Sequence, residues 1–102
     1  MKVDRKAAEK SLKKKGFRRD VSGDHVYFFH VFNGKETGIK TYVSHSAKYR
    51  DIGPDNLKSM MRQLRLQTVH EARDLLECPM TADEYNNLLR KLGHLMVEKT
   101  EY

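Results

Sequence analysis

Two β-rich runs, HVYFFHVF (25–32) and TGIKTYVS (37–44), lie on either side of the dipeptide Asn33-Gly34. No other feature restricts the fold as strongly. Asn-Gly supplies the two left-handed residues of a tight hairpin turn, and β-branched and aromatic neighbours favour extended backbone. A two-residue loop sets Phe32 opposite Lys35 and His25 opposite Tyr42, whereas a four-residue loop sets Phe32 opposite Thr37 and His25 opposite Ser44. Side chains alternate along a strand, so both registers give the same two faces. Val26, Phe28, His30, Phe32, Ile39, Thr41 and Val43 share the expected core face. His25, Tyr27, Phe29, Val31, Lys40 and Tyr42 share an open one, unless a three-residue loop exchanges the assignments.

Around this hairpin the chain reads as short, punctuated elements. VDRKAAEKSLKKK (3–15) is a helix with Val3, Ala7, Ala8 and Leu12 on one side and Gly16 as its stop. FRRDV (17–21) is a short first strand. PDNLKSMMRQLRL begins at Pro54, a residue suited to a first helical turn, and spaces Leu57, Met60, Met61 and Leu64 as a buried stripe. Thr68-x-x-Glu71 and Thr81-x-x-Glu84 each match a capping box, which predicts helices over 68–77 and 81–92 ended by Gly93. The expected class is α+β: a helix, three antiparallel strands and a helix in residues 1–67, with residues 68–102 a helical extension packed on the same domain.

A chain of 102 residues with 38% apolar content holds one core. Cys78 is the only cysteine and cannot build a disulfide framework or a cysteine-rich zinc site. No apolar run is long enough to span a bilayer, and the N-terminus lacks a signal-peptide pattern, so a cytoplasmic protein with no membrane partner is expected. The net charge of +6 is unevenly spread: residues 1–20 carry nine Lys or Arg against three acids, whereas residues 68–102 carry four against seven. A basic body of this kind attracts phosphate backbones. Lys10, Lys13, Lys14, Lys15, Arg18, Lys40, Lys58 and Arg62 are the candidate phosphate contacts, and Tyr27 and Tyr42 the candidate stacking groups for bases. The lysines ending the first helix equally suit the negative end of its dipole, and the Lys58/Arg62/Arg65 ridge equally suits a solvated face.

Glycine-rich phosphate loops, nucleophile elbows and zinc-protease motifs are absent, which leaves the histidines. His25 opens the second strand and His45 follows the third, so antiparallel pairing brings the two together. Two imidazoles can divide RNA cleavage between them, one taking the 2′-hydroxyl proton and the other supplying a proton to the leaving oxygen. His30 falls on the core face and reads as an internal, hydrogen-bonded residue; His70 and His94 read as surface or capping groups. No histidine spacing supplies a metal set, and no cofactor is expected.

LKKKGF (12–17), GDHVYF (23–28), the hairpin, TYVSH (41–45) and LKSMMRQL (57–64), in that order, resemble the HicA family of toxins. The likeness covers about residues 5–66. It implies a fold like that of double-stranded-RNA-binding domains, α-β-β-β-α, an mRNA-cleaving endoribonuclease activity, and a HicB-like antitoxin as partner. The family's catalytic histidine lies in a Gly-(Ser/Thr)-His step that falls on His25, with Asp24 here in place of the hydroxyl residue. The CPMTxxEY pattern (78–85) resembles the tail of HicA-like proteins of unassigned activity. A non-catalytic RNA-binding module and a protein-interaction domain stay open beside the nuclease.

Overall fold

The structure is a computed structural model that describes residues 2–44, 50–77 and 79–95. The chain is α+β. Its elements are β1 (Val3–Asp4), α1 (Arg5–Lys14), β2 (Phe17–Ser22), β3 (His25–Phe32), β4 (Lys35–Ser44), β5 (Asp51–Ile52), α2 (Pro54–Gln63), α3 (Val69–Glu77) and α4 (Ala82–Lys91). The first helix starts two residues later than its apolar spacing suggests. Asp4 accepts a hydrogen bond from the Ala7 amide at 2.9 Å and so acts as the N-cap, while Val3 and Asp4 pair with Ile52 and Asp51. Strands of two residues have no periodicity, which is why β1 and β5 leave no mark in the sequence.

The longer strands form an antiparallel sheet in the order β2-β3-β4. Asn33 and Gly34 adopt φ of 53° and 77°, as a type I′ turn requires. Next to this turn the register is that of the two-residue loop, with Phe32 opposite Lys35 and Val31 opposite Glu36. Between Val31 and Phe29 a bulge intervenes, and from there Phe29 faces Lys40 and His25 faces Ser44. Each expected register thus occupies half of one hairpin. The bulge lengthens β4 by two residues, an even number, so every side chain keeps its face. Gly38, at φ 90°, lies in it.

The inner face of the sheet carries Val26, Phe28, Ile39 and Val43, all nearly inaccessible, in one core cluster with Ala8 and Leu12 of α1 and Leu57 and Met60 of α2. Met61 and Phe32 are only partly buried and pack at its margin. Two polar side chains on this face are fully buried, and both are bonded. The Thr41 hydroxyl donates to Gln63 Oε1 at 2.6 Å. His30 faces Thr37 Oγ1 through Nδ1 at 3.0 Å and Asn86 Oδ1 through Nε2 at 2.9 Å. An amide oxygen only accepts, so Nε2 carries the proton and Nδ1 accepts from the Thr37 hydroxyl.

The C-terminal helices belong to the same core. Ser11 Oγ and Lys15 Nζ of the first helical segment both donate to the Leu75 carbonyl, at 2.8 and 2.6 Å. Leu75 lies in the last turn of α3, where carbonyls lack intrahelical partners, so α1 caps α3 with side chains. Tyr85 of α4 is inaccessible, and its hydroxyl donates to the Leu64 carbonyl just past α2 at 2.8 Å. Thr81 and Glu84 form the full capping box. At Thr68 only half of the expected box closes: its hydroxyl takes the Glu71 amide, but the Glu71 carboxylate takes the amide of Gln67.

Burial holds the His30 imidazole below its ordinary pKa, against the opposing pull of the Asn86 hydrogen bond. Its ring lies among Phe17, Tyr85, Thr37 and Asn86. Below the unfolded value of about 6.5 the unfolded chain therefore binds the proton first, and the His30 contribution to stability is lost as pH falls toward the folded value. The urea midpoint is expected to drop as pH goes from about 7.5 to about 5. A less stable His30→Gln variant should show a shallower drop, and parallel curves would remove His30 as the cause.

Candidate nucleic-acid interface

Strand alternation and a tight register build the outer face of the sheet. Tyr27 lies directly opposite Tyr42, Phe29 opposite Lys40 and His25 opposite Ser44 on one side; on the other, β2 sets Ser22, Asp20 and Arg18 against His25, Tyr27 and Phe29. The rings form a continuous patch. Tyr27 and Tyr42 have centroids 5.4 Å apart, and Tyr27 and Phe29 lie 6.1 Å apart and within 20° of parallel. The Arg18 guanidinium lies 4.6 Å above the Phe29 ring and Lys40 Nζ lies 5.9 Å from it. Tyr42 is 42% exposed.

His25 stands at the end of this patch. It begins β3 with a strand on each side, so its backbone is fixed by the ladder; its ring, half-buried, meets Tyr42 edge-on at 4.9 Å. Asp24 is exposed in the two-residue turn before it, where Gly23 takes φ 61°. Beyond the His25 ring opens a cavity of about 360 Å³ between the end of β4, β5 and α2. Arg5 reaches this cavity from the start of α1, held by a hydrogen bond from Nη1 to the Ser44 carbonyl at 2.8 Å and a contact with Glu9 at 3.5 Å. Sequence reasoning passes over Arg5 as one charge among nine, because its position depends on the β1–β5 pairing.

The predicted contacts divide over two surfaces. His25, Tyr27, Lys40, Tyr42 and Arg18 share the outer sheet face. Lys10, Lys13 and Lys14 are exposed on α1 and Lys58 and Arg62 on α2, the helical layer against the opposite face. Arg18 is not an uncommitted cation: Glu36 lies 2.6 Å from it and Asp20 3.7 Å, and the Glu36 hydrogen bond holds its pKa above the ordinary guanidinium value. Lys15 departs most from its expected role as a phosphate contact. It is only 5% exposed, because the α1 spacing that buries Ala8 and Leu12 also turns Lys15 inward, where Nζ binds the Leu75 carbonyl. His45 and Cys78 lie outside the described residues.

Among the described residues no three His, Cys, Asp or Glu side chains gather as a metal set, and no helix is long and apolar enough to cross a membrane. Comparison of the chain with protein-family models, curated proteins and solved structures returns no match.

Proposed function

We propose that this chain is a HicA-like RNA-binding protein, with the α-β-β-β-α plan of double-stranded-RNA-binding domains, that cleaves RNA as a metal-independent endoribonuclease. The observation that carries the reading is the position of His25, fixed by two strands at the point where an aromatic sheet face meets a cavity. Bases of an unpaired strand stack on Tyr27 and Tyr42, a sequence-tolerant contact because every base has a π-face. His25 then takes the 2′-hydroxyl proton, the 2′-oxygen forms a bond to phosphorus, and the bond from phosphorus to the 5′-oxygen breaks. His45 is the proposed donor of a proton to that leaving oxygen. The expected products are a 2′,3′-cyclic phosphate and a free 5′-hydroxyl. A HicB-like antitoxin is the proposed protein partner and the cytoplasm the proposed location.

One observation favours a second reading, a binding module without chemistry. Asp24 places an exposed carboxylate next to His25, where it repels an approaching phosphate. Incubation with a long single-stranded RNA in EDTA separates the two, since fragments ending in cyclic phosphate support the nuclease and retention without fragments supports the binder. No retention even at low salt would remove both. Affinity should fall steeply from about 50 to about 200 mM salt as lysine contacts release counterions. Replacing both Lys13 and Lys14 by Gln should make the log–log slope shallower by about 1.4, roughly 0.7 per phosphate contact on a single strand, as read by fluorescence anisotropy. An unchanged slope would move the phosphate track to the Lys58/Arg62 side.

A further inference from the structure

The cavity beside His25 has a chemistry distinct from that of the stacking face. Its volume of about 360 Å³ is far more than one water needs and falls at the small end of ligand sites. Its apolar wall is Val43, Ile52 and Met60, each almost wholly withdrawn from solvent. Facing it, Asn56, Ser59 and Gln63 follow one another along α2 at spacings of three and four residues, which puts an amide, a hydroxyl and a second amide on one side of the helix. The Thr41 hydroxyl donates to Gln63 Oε1 at 2.6 Å, which fixes that amide and leaves its N–H groups as the donors it can offer.

The charges decide between an anion and a neutral occupant. Among the described residues, Arg5 and Asp51 both line the cavity, one of each sign, and Arg5 is already paired with Glu9, so these groups give no net attraction for phosphate. An apolar wall opposite two amides and a hydroxyl suits a flat, neutral group with hydrogen-bonding edges. Asparagine and glutamine amides can pair with base edges, and an aromatic rim of Tyr42 and His25 suits a ring passing inward. We propose that this cavity takes one unpaired nucleobase, so that the chain selects the identity of a nucleotide next to the phosphodiester presented to His25. The inference rests on the RNA reading above and deepens it: stacking on the sheet face is indifferent to sequence, and the cavity adds the selection.

Titration of the isotope-labelled protein with each of the four ribonucleosides tests the cavity without requiring RNA chemistry. One nucleoside should shift the amide signals of residues 56–63 and the His25 ring saturably, at least about tenfold more tightly than the poorest, the discrimination that one good base contact supplies. Asn56→Ala should reduce that ratio to within about threefold, and Ser59→Leu, which fills the cavity, should abolish the shifts. Amide spectra of both variants report whether the fold is retained. In parallel, RNA bound or cut by the parent should show a base preference that the folded variants lose while their salt-dependent affinity persists.

If RNA is retained and its base preference survives in both folded variants, the cavity inference is overturned and recognition belongs to the stacking face. If nucleosides seat in the cavity but RNA is not retained, the nucleobase site stands and the RNA reading fails. If nucleosides leave residues 56–63 and His25 undisturbed, the cavity inference is overturned whatever RNA does.

Discussion

His25→Ala is expected to slow RNA cleavage by about 10²- to 10⁴-fold, the usual contribution of a positioned general acid or base, while RNA affinity stays within a few-fold. The two effects separate because they come from different parts of the molecule. In the proposed reading, proton transfer needs the imidazole at one point, whereas the proposed RNA contacts are spread over Lys40, Tyr27 and Tyr42 on the sheet and the exposed lysines of α1. The substitution should also leave the fold intact. The His25 ring is half-buried at a strand end and contributes to an outer-face aromatic cluster, not to the apolar core. A His25→Ala protein that cuts RNA at the parental rate would reduce His25 to the opening residue of a strand, and the non-catalytic module would then be the better account. A loss of binding equal to the loss of cleavage would make His25 a contact residue instead.

Asn33-Gly34 made the hairpin legible because positive φ at two consecutive positions is a local requirement that few residues meet. The face assignments survived a register that neither simple loop describes, since a bulge of two residues preserves alternation. The bulge itself was hidden. It places Thr37 against the buried His30 ring, a demand that comes from packing and not from the local sequence. Lys15 shows the reverse case, where the signal was present. Ala8, Leu12 and Lys15 are spaced as i, i+4, i+7, one buried stripe, but Lys15 also ends a run of three lysines, whose charge points to solvent. The cavity draws on α1, β3, β4, β5 and α2, so the parts legible in advance are His25 and Tyr42, which strand alternation assigns to the outer face. Asn56, Ser59 and Gln63 carried no signal beyond polar residues on an amphipathic helix.

Ending the chain after Gln67 should leave an insoluble or molten body, even though residues 1–67 contain the whole three-stranded sheet and both of the helices that pack across it. Buried apolar surface gives the first reason. Ala72, Leu75, Leu76, Tyr85 and Leu89 all sit in the common core with Leu12, Phe17 and Leu64, and removing them uncovers apolar surface such as the Phe17 ring that packs on Tyr85. The hydrogen bonds give the second. Lys15 Nζ and Ser11 Oγ lose the Leu75 carbonyl, the Leu64 carbonyl loses Tyr85, and His30 Nε2 loses Asn86. Water can replace these partners, but the ties that α3 and α4 make to α1, the sheet and the end of α2 are lost. An acidic shield laid over a finished domain would behave differently: removing it would strengthen RNA binding and leave the fold alone. A graded test avoids relying on one deletion. Tyr85→Phe keeps the ring and removes only the hydroxyl, at an expected cost of about 1–3 kcal/mol for the unsatisfied Leu64 carbonyl, whereas Tyr85→Ala also empties the ring's site and should cost about 3–5 kcal/mol. Urea unfolding of both variants should therefore rank them below the parent in that order. A chain ending at Gln67 that unfolds cooperatively at the parent's midpoint, with Tyr85→Ala indistinguishable from the parent, would show that α3 and α4 rest on a body that does not need them.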